Sequence, residues 1–421
     1  MKIKHPVLIG LIVIIVPLLV GQVMSTKRTS VVKPVEAKKS IPKRAPNPPL
    51  EKLLKEYETQ ISALALEAKT PGAAIAVVYN NDIVYLKSFG IKRAGKDDPV
   101  DVNTVFRIAS VSKCFASFLT GILVEDTILN WNDPISNYLP TFALQSQAET
   151  DKLTIRNVLS HTTGLPYHAY TNMVEEGIPL DSMLSWLKKI HLVSGVGQSY
   201  SYQNVAYSII GEVIRVKTGK TYEEEMREQV FKPLQMKTAS IDYASISTND
   251  NIAYPHKMRK GKWIPATITN TYYNVAPAGG VNASISDMAQ WMIALLGNRP
   301  DVISQATLQT LFTPVIKAPS KNRNYGRMHR LSNSYYGLGW RVLHYPNDTI
   351  IYHGGFVNGY RSEVALNPKE NIAVCILANA PGDLADNGIP LFFSLFEASR
   401  DSIVDWDVKE RARLTPQPLT P

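Results

Sequence analysis

Cysteine is scarce in this chain, with two among 421 residues. Cys114 and Cys375 permit at most one internal bridge, which excludes a disulfide framework and a cysteine-built metal cage. Both lie in apolar runs (Lys113-Cys114-Phe115-Ala116 and Ala373-Val374-Cys375-Ile376-Leu377) and read as free buried thiols, packing as small hydrophobes. Metal-ligand spacing is missing too. The eight histidines include no His-x-x-x-His pair, and no metal or other cofactor is expected. Basic charge is absent where a nucleic-acid enzyme would need it. Of the formal charge of +9, almost all comes from residues 1–50, where nine basic residues face one acid, Glu36. The remainder is nearly neutral, and no nucleic-acid partner is expected.

One long uncharged apolar run stands out, from Pro6 to about Met24, behind the short basic segment Met1-Lys2-Ile3-Lys4-His5. Its length is close to the ~20 residues that a bilayer-crossing helix needs. Residues 1–25 therefore read as a signal peptide or an N-terminal membrane anchor. The cleavage pattern around Val23-Met24-Ser25 is poor, which favours the anchor, while Lys27 and Arg28 weaken the positive-inside asymmetry. Residues 26–48, basic and punctuated by Pro34, Pro42, Pro46 and Pro48, read as a flexible tether. These segments predict an exported protein, secreted or held on the periplasmic side of the inner membrane.

From residue 49 to about 400 the pattern is globular. Leu50 to Ala68 has helical spacing of apolar residues. Gly72–Tyr79 and Ile83–Phe89 read as strands joined by a turn at Asn80-Asn81-Asp82. Phe106 to Leu296 is rich in helices and long loops. Strand-like runs return at Gly337–His344, Thr349–His353, Tyr360–Asn367 and Asn371–Asn379. A last apolar helix, Ile389 to about Ser399, leads into a polar tail over 401–421. Strands at both ends with helices between them predict an α+β fold, in which one antiparallel sheet is assembled from both ends of the chain. Helices cover its faces, and a helical lobe is inserted.

Three short constellations carry chemistry. Ser110 and Lys113 stand three apart at a helix start, one turn apart on one face. Burial and positive charge can lower such an amine's pKa until it shares in proton transfer. Tyr202 and Asn204, two apart in a loop, can point the same way, the phenol as a proton acceptor and the amide as an orienter. His353-Gly354-Gly355-Phe356 sets a polar ring before two glycines, whose missing side chains open a strand edge and leave a backbone N–H for an oxyanion. Each alone also fits a structural role: a chance Ser-x-x-Lys, a hydrogen-bonded loop, a β-bulge.

Taken in order, the three resemble the signature of the serine β-lactamase-related and penicillin-binding protein superfamily, in its class C β-lactamase, D-aminopeptidase and esterase-like branch. Leu159-Ser160-His161-Thr162-Thr163-Gly164-Leu165-Pro166, Ala278-Gly279-Gly280-Val281 with Ser284 and Asp287, and Tyr336-Gly337-Leu338-Gly339-Trp340 look like further stretches of that family, so the likeness runs from about Leu50 to Ala398. The resemblance implies a serine hydrolase working through an acyl-enzyme. Ser110 would be the nucleophile, Lys113 its proton partner and Tyr202 the general base and acid. Asn204 would position the acyl group, and His353 would stand in for the third-motif cation. The N–H groups of Ser110 and Phe356 would form the oxyanion hole. His161 reads as structural, and Ser284 with Asp287 as a helix cap.

The departure lies in the third motif, where the family's β-lactamases carry Lys-Thr-Gly or Lys-Ser-Gly. Histidine has an unperturbed pKa of ~6.5, so His353 should attract a carboxylate weakly. That points to an ester, amide or D-amino-acid peptide substrate, a small molecule or peptide of the cell envelope. A true β-lactamase or D,D-carboxypeptidase, or an idle tethered scaffold of the same fold, are the alternatives. Arg361 on the next strand reads as a carboxylate anchor or, more simply, as a solvated surface charge.

Overall fold

The computed structural model describes residues 47–319, 331–346 and 348–414. The expected membrane segment at 6–24, the tether as far as residue 46 and residues 415–421 lie outside them. Among the described residues no helix is long and apolar enough to cross a membrane.

Twelve strands are described. β1 (Gly72–Tyr79) and β2 (Asp82–Gly90) form the first hairpin, turned at Asn80-Asn81 where Asn80 adopts φ +57°. β3 (Val105–Arg107) precedes the helical lobe, and β4 (His256–Arg259) and β5 (Lys262–Pro265) form a small hairpin. β6 (Asn282–Ser284) returns to pair with β3. Then follow β7 (Ile316–Lys317), β8 (Asn333–Tyr336), β9 (Arg341–Tyr345), β10 (Asp348–Val357), β11 (Tyr360–Asn367) and β12 (Ile372–Ala378). Eight of them make one antiparallel sheet in the order β2-β1-β12-β11-β10-β9-β8-β7. β1 pairs with β12 from Ala73–Ala378 to Tyr79–Ile372, so the two ends of the domain meet inside the sheet, as the strand pattern predicts.

The sheet is covered on both faces, so β1, β11 and β12 are buried along their whole length, and β1 and β12 read as unbroken apolar runs. Alternate residues serve opposite cores. Ile75, Val77, Val374 and Ile376 pack against Leu53, Tyr57 and Ile61 of the first helix (Pro48–Glu67) and Phe392 and Phe396 of the last. Ala74, Ala76, Cys375 and Leu377 face the helices Ser112–Glu125 and Ile285–Leu295. Both thiols are free and buried. Each large side chain so buried stabilises the fold by ~1.5–3 kcal/mol. Ser284 and Asp287 form the expected capping box on the helix Ile285–Leu295.

Two sequence expectations are corrected. The last helix runs from Asp383 to Leu414, well beyond the apolar stretch 389–399 and into the segment read as tail. Phe396, Ile403 and Asp407 recur on one face at helical spacing. Ile403 is buried, and the Asp407 carboxylate accepts from Asn47 Nδ2 at 2.9 Å and Tyr79 OH at 2.7 Å. A polar composition concealed that anchored face. The strand expected over Gly337–His344 is also broken, because Gly337–Trp340 forms the turn between β8 and β9. Gly339 has φ +79° there, and a Cβ on it would lie 2.6 Å from Ser117 Oγ.

Candidate active site

Ser110 is raised on a sharp bend. β3 passes through Ile108 into a 3₁₀ turn, Ala109–Val111, and then directly into the helix Ser112–Glu125. Ala109 takes φ +51°, a left-handed conformation costing an L-residue about 1 kcal/mol. Neighbours over-determine the bend. Ser362 Oγ donates to Ile108 O at 2.6 Å, and Ser112 Oγ accepts from the Val281 N–H at 3.0 Å. Arg107, fully buried, donates to Thr269 O at 3.0 Å and Thr271 O at 2.5 Å. Ser110 itself stays half-exposed.

Lys113, one turn along, is completely buried. Its Nζ donates to Asn204 Oδ1 at 2.8 Å and to Ala278 O at 2.9 Å, both uncharged acceptors. Burial drives its pKa well below the ordinary lysine value, and the nearby Arg341 guanidinium adds to that. A neutral amine has two N–H bonds and one lone pair. The two acceptors take both bonds, so the lone pair is left for a proton.

Tyr202 and Asn204 sit on the loop facing that amine. The Nζ lies 4.7 Å from the Tyr202 ring centre, and the phenol oxygen is hydrogen-bonded by Ser110. Ser110, Lys113, Tyr202 and Asn204 are therefore brought together. The protonation differs from the sequence expectation of a phenol pushed toward phenolate. Burial raises the Tyr202 pKa, outweighing the Ser110 hydrogen bond. The phenol is protonated at rest.

The third motif lies along β10. Its two-residue turn at Asn358-Gly359 makes Val357 and Tyr360 a hydrogen-bonded pair. Alternation then turns the N–H groups of Gly354 and Phe356 to the opposite edge, which β9 covers only as far as Tyr352. The Phe356 N–H thus faces the open edge, while its side chain is 58% exposed. Gly355 faces the nucleophile bend, and a Cβ there would come within 2.4 Å of Ile108 O and 3.0 Å of Ser110 N. The glycine makes room for the bend, where the sequence suggested room for substrate. Gly354 faces the other side, where a Cβ would meet Glu363 Oε2 at 2.7 Å.

His353 does not provide a cation. It is buried, its Nε2 lies 3.1 Å from Tyr336 OH, and its Nδ1 lies 2.9 Å from Gly354 O. Burial and then Arg341 hold its pKa well below the usual histidine value. Arg361 is neither anchor nor solvated charge. It is buried, paired with Glu363 and Asp386, and donates to Gly355 O at 3.1 Å. The cation that sequence reasoning missed is Arg341, the first residue of β9. Its guanidinium carbon stands 5.9 Å from the Tyr202 ring centre and 5.7 Å from that of Tyr336, and it hydrogen-bonds Tyr200. Its place directly after the Tyr336–Trp340 turn was the available signal.

Comparison with known proteins gives the family and the fold. The family model described as Beta-lactamase matches residues 50–390. The "Unguisins hydrolase ungD'" of Aspergillus campestris (strain IBT 28561) is 27% identical over 80% of this chain and 63% of its own length. "Protein flp" of Staphylococcus aureus (strain MW2) is 24% identical over 73% of this chain and 59% of its own. The chain thus spans about three-fifths of the length of these curated relatives. Among solved structures, the octameric penicillin-binding protein homologue from Pyrococcus abyssi superposes with a TM-score of 0.69 at 22% identity, covering 81% of this chain and 77% of that one. That likeness concerns the fold.

Proposed function

The chain belongs to the beta-lactamase family, and from that premise we propose that it is a serine hydrolase working through an acyl-enzyme on Ser110. The observation that carries this reading is the buried, carboxylate-free amine of Lys113 in one cluster with the Ser110 hydroxyl and the Tyr202 phenol. Ser110 Oγ attacks the substrate carbonyl and its proton passes to the Lys113 lone pair. The N–H groups of Ser110 and Phe356 receive the oxyanion. When the intermediate collapses, the Tyr202 hydroxyl protonates the leaving group and recovers its proton from Lys113, leaving the acyl group on Ser110. Water then enters and attacks the ester as its proton passes to Lys113, and that proton returns to Ser110 Oγ as the acid is released.

The substrate we propose is an ester, amide or D-amino-acid peptide of the cell envelope with a carboxylate near the scissile bond. Arg341 supports this, because it brings to the Tyr202 wall the positive charge that His353 lacks. The uncharged segment at 6–24 supports an exported, membrane-held setting. A fluorophosphonate or fluorescent penicillin should label the wild-type chain and fail to label Ser110→Ala. Equal labelling of the two would remove Ser110 from the chemistry, and no labelling of either would leave a scaffold. A panel of nitrocefin, p-nitrophenyl esters and D-alanyl p-nitroanilides then ranks the scissile bonds.

A further inference from the structure

His161 lies outside the proton route just described, yet it touches the residue that route passes through. It sits at φ +57° and is completely buried. Its main-chain oxygen accepts from the Ser201 N–H at 2.9 Å, and its Nδ1 accepts from the Gln203 N–H at 3.2 Å. The residues on either side of Tyr202 are thus both held by one residue. The imidazole lies 4.3 Å from the Tyr202 ring, centre to centre. Because Nδ1 accepts, the ring proton is on Nε2, and among the described residues that nitrogen has no hydrogen-bond partner. The imidazole also packs against the tilted rings of Tyr207 and Tyr336, 5.0 Å and 4.9 Å away centre to centre. A residue kept for packing alone would not bury a donor without an acceptor; a phenyl ring fills the same space without that cost.

We propose that His161 is the positioning residue for Tyr202, a role that rests on the acyl-enzyme reading above. Its oxygen and Nδ1 clamp the loop at Ser201 and Gln203, and its ring packs beside the phenol ring, which fixes where the Tyr202 hydroxyl points. The imidazole itself takes no proton, since protonated Nδ1 would turn a donor toward the Gln203 N–H.

The test is the single-turnover acylation rate of Ser110 by a p-nitrophenyl ester, per folded chain. His161→Phe should slow acylation about 30-fold while KM stays within about threefold, the scale of a misplaced catalytic group. His161→Asn suits the left-handed backbone and offers Oδ1 to the Gln203 N–H, so it should return the rate to within about fivefold of wild type. His161→Gly tolerates the backbone and lacks the ring; it should be as slow as Phe, and the Gly and Asn variants decide the matter if the Phe chain does not fold. Rates for Phe and Gly within about threefold of wild type, an Asn variant as slow as Gly, or a loss confined to KM would overturn the clamp alone. A wild-type chain that is not acylated at Ser110 would overturn the clamp together with the hydrolase reading.

Discussion

Two buried basic side chains lie on opposite sides of strand β10. On the side of Gly355, Lys113 reaches only the neutral oxygens of Asn204 and Ala278. On the side of Gly354, Arg361 is paired with the carboxylates of Glu363 and Asp386. A buried cation with carboxylates is fixed in place, and removing one partner is what hurts. A buried amine without them gives up its proton instead, because desolvation disfavours the charged form. The first arrangement holds the hairpin to the last helix; the second is a base ready for work.

The sharpest way to break this contrast is Lys113→Met. Without the amine, acylation of Ser110 should fall by at least ~10³-fold, within the range for lost acid–base catalysis. Stability should move the other way. Burial lowers the lysine pKa on folding, so the proton is held less well in the folded chain than in the unfolded one, and folding is penalised below the unfolded pKa. Replacing the amine by an apolar group should stabilise the fold by about 1–2 kcal/mol in urea denaturation. Acylation of Ser110 that survives in the Met variant would place the base elsewhere.

Glu363→Ala tests the opposite side. It leaves Arg361 buried with one carboxylate fewer and should cost ~3 kcal/mol of stability. A midpoint within experimental error of wild type would demote the cluster to an exposed pair. Asn204→Asp would convert the second arrangement into the first. The new carboxylate, at the end of the 2.8 Å hydrogen bond from Nζ, favours protonated lysine. Because the active form is the neutral amine, kcat/KM of the wild type should fall as pH drops through the lowered Lys113 pKa. In Asn204→Asp that limb should move to higher pH, with a loss of ~10²-fold at pH 7. A limb that stays put would place the base elsewhere.

The sheet core and the motif residues were legible because they obey local rules. Alternation gave Tyr360–Asn367 to the residue, and helix-start spacing joined Ser110 to Lys113. What sequence concealed depends on partners far along the chain. Arg361 read as solvated because, although alternation puts Glu363 on its own face, nothing local announces that the last helix covers that face and brings Asp386 to it. His353 read as a weak cation because its burial under Tyr336 is a tertiary fact. The protonation of Tyr202 could not be read either, since it follows from burial of the phenol by residues far apart in sequence. Gly354 and Gly355 read as one feature, although the pleat sends them to opposite sides.

Arg341 gives the subtlest test, because it is basic yet belongs to neither arrangement. It is half-exposed at the start of β9, stands over Tyr202 and Tyr336, and hydrogen-bonds Tyr200. Its charge lowers the pKa of Lys113 and of His353, so removing it should shift the acid limb of kcat/KM upward. If it also holds a substrate carboxylate, Arg341→Met should reduce kcat/KM for a carboxylate-bearing ester by ~10-fold relative to the same ester methylated, since a partly solvated charge pair contributes on the order of 1 kcal/mol. Measuring both esters above the acid limb separates the two effects, because the proton equilibrium then no longer contributes. Equal losses for the charged and the methylated ester would confine Arg341 to tuning the base and return the search for a carboxylate anchor to the open edge of β10.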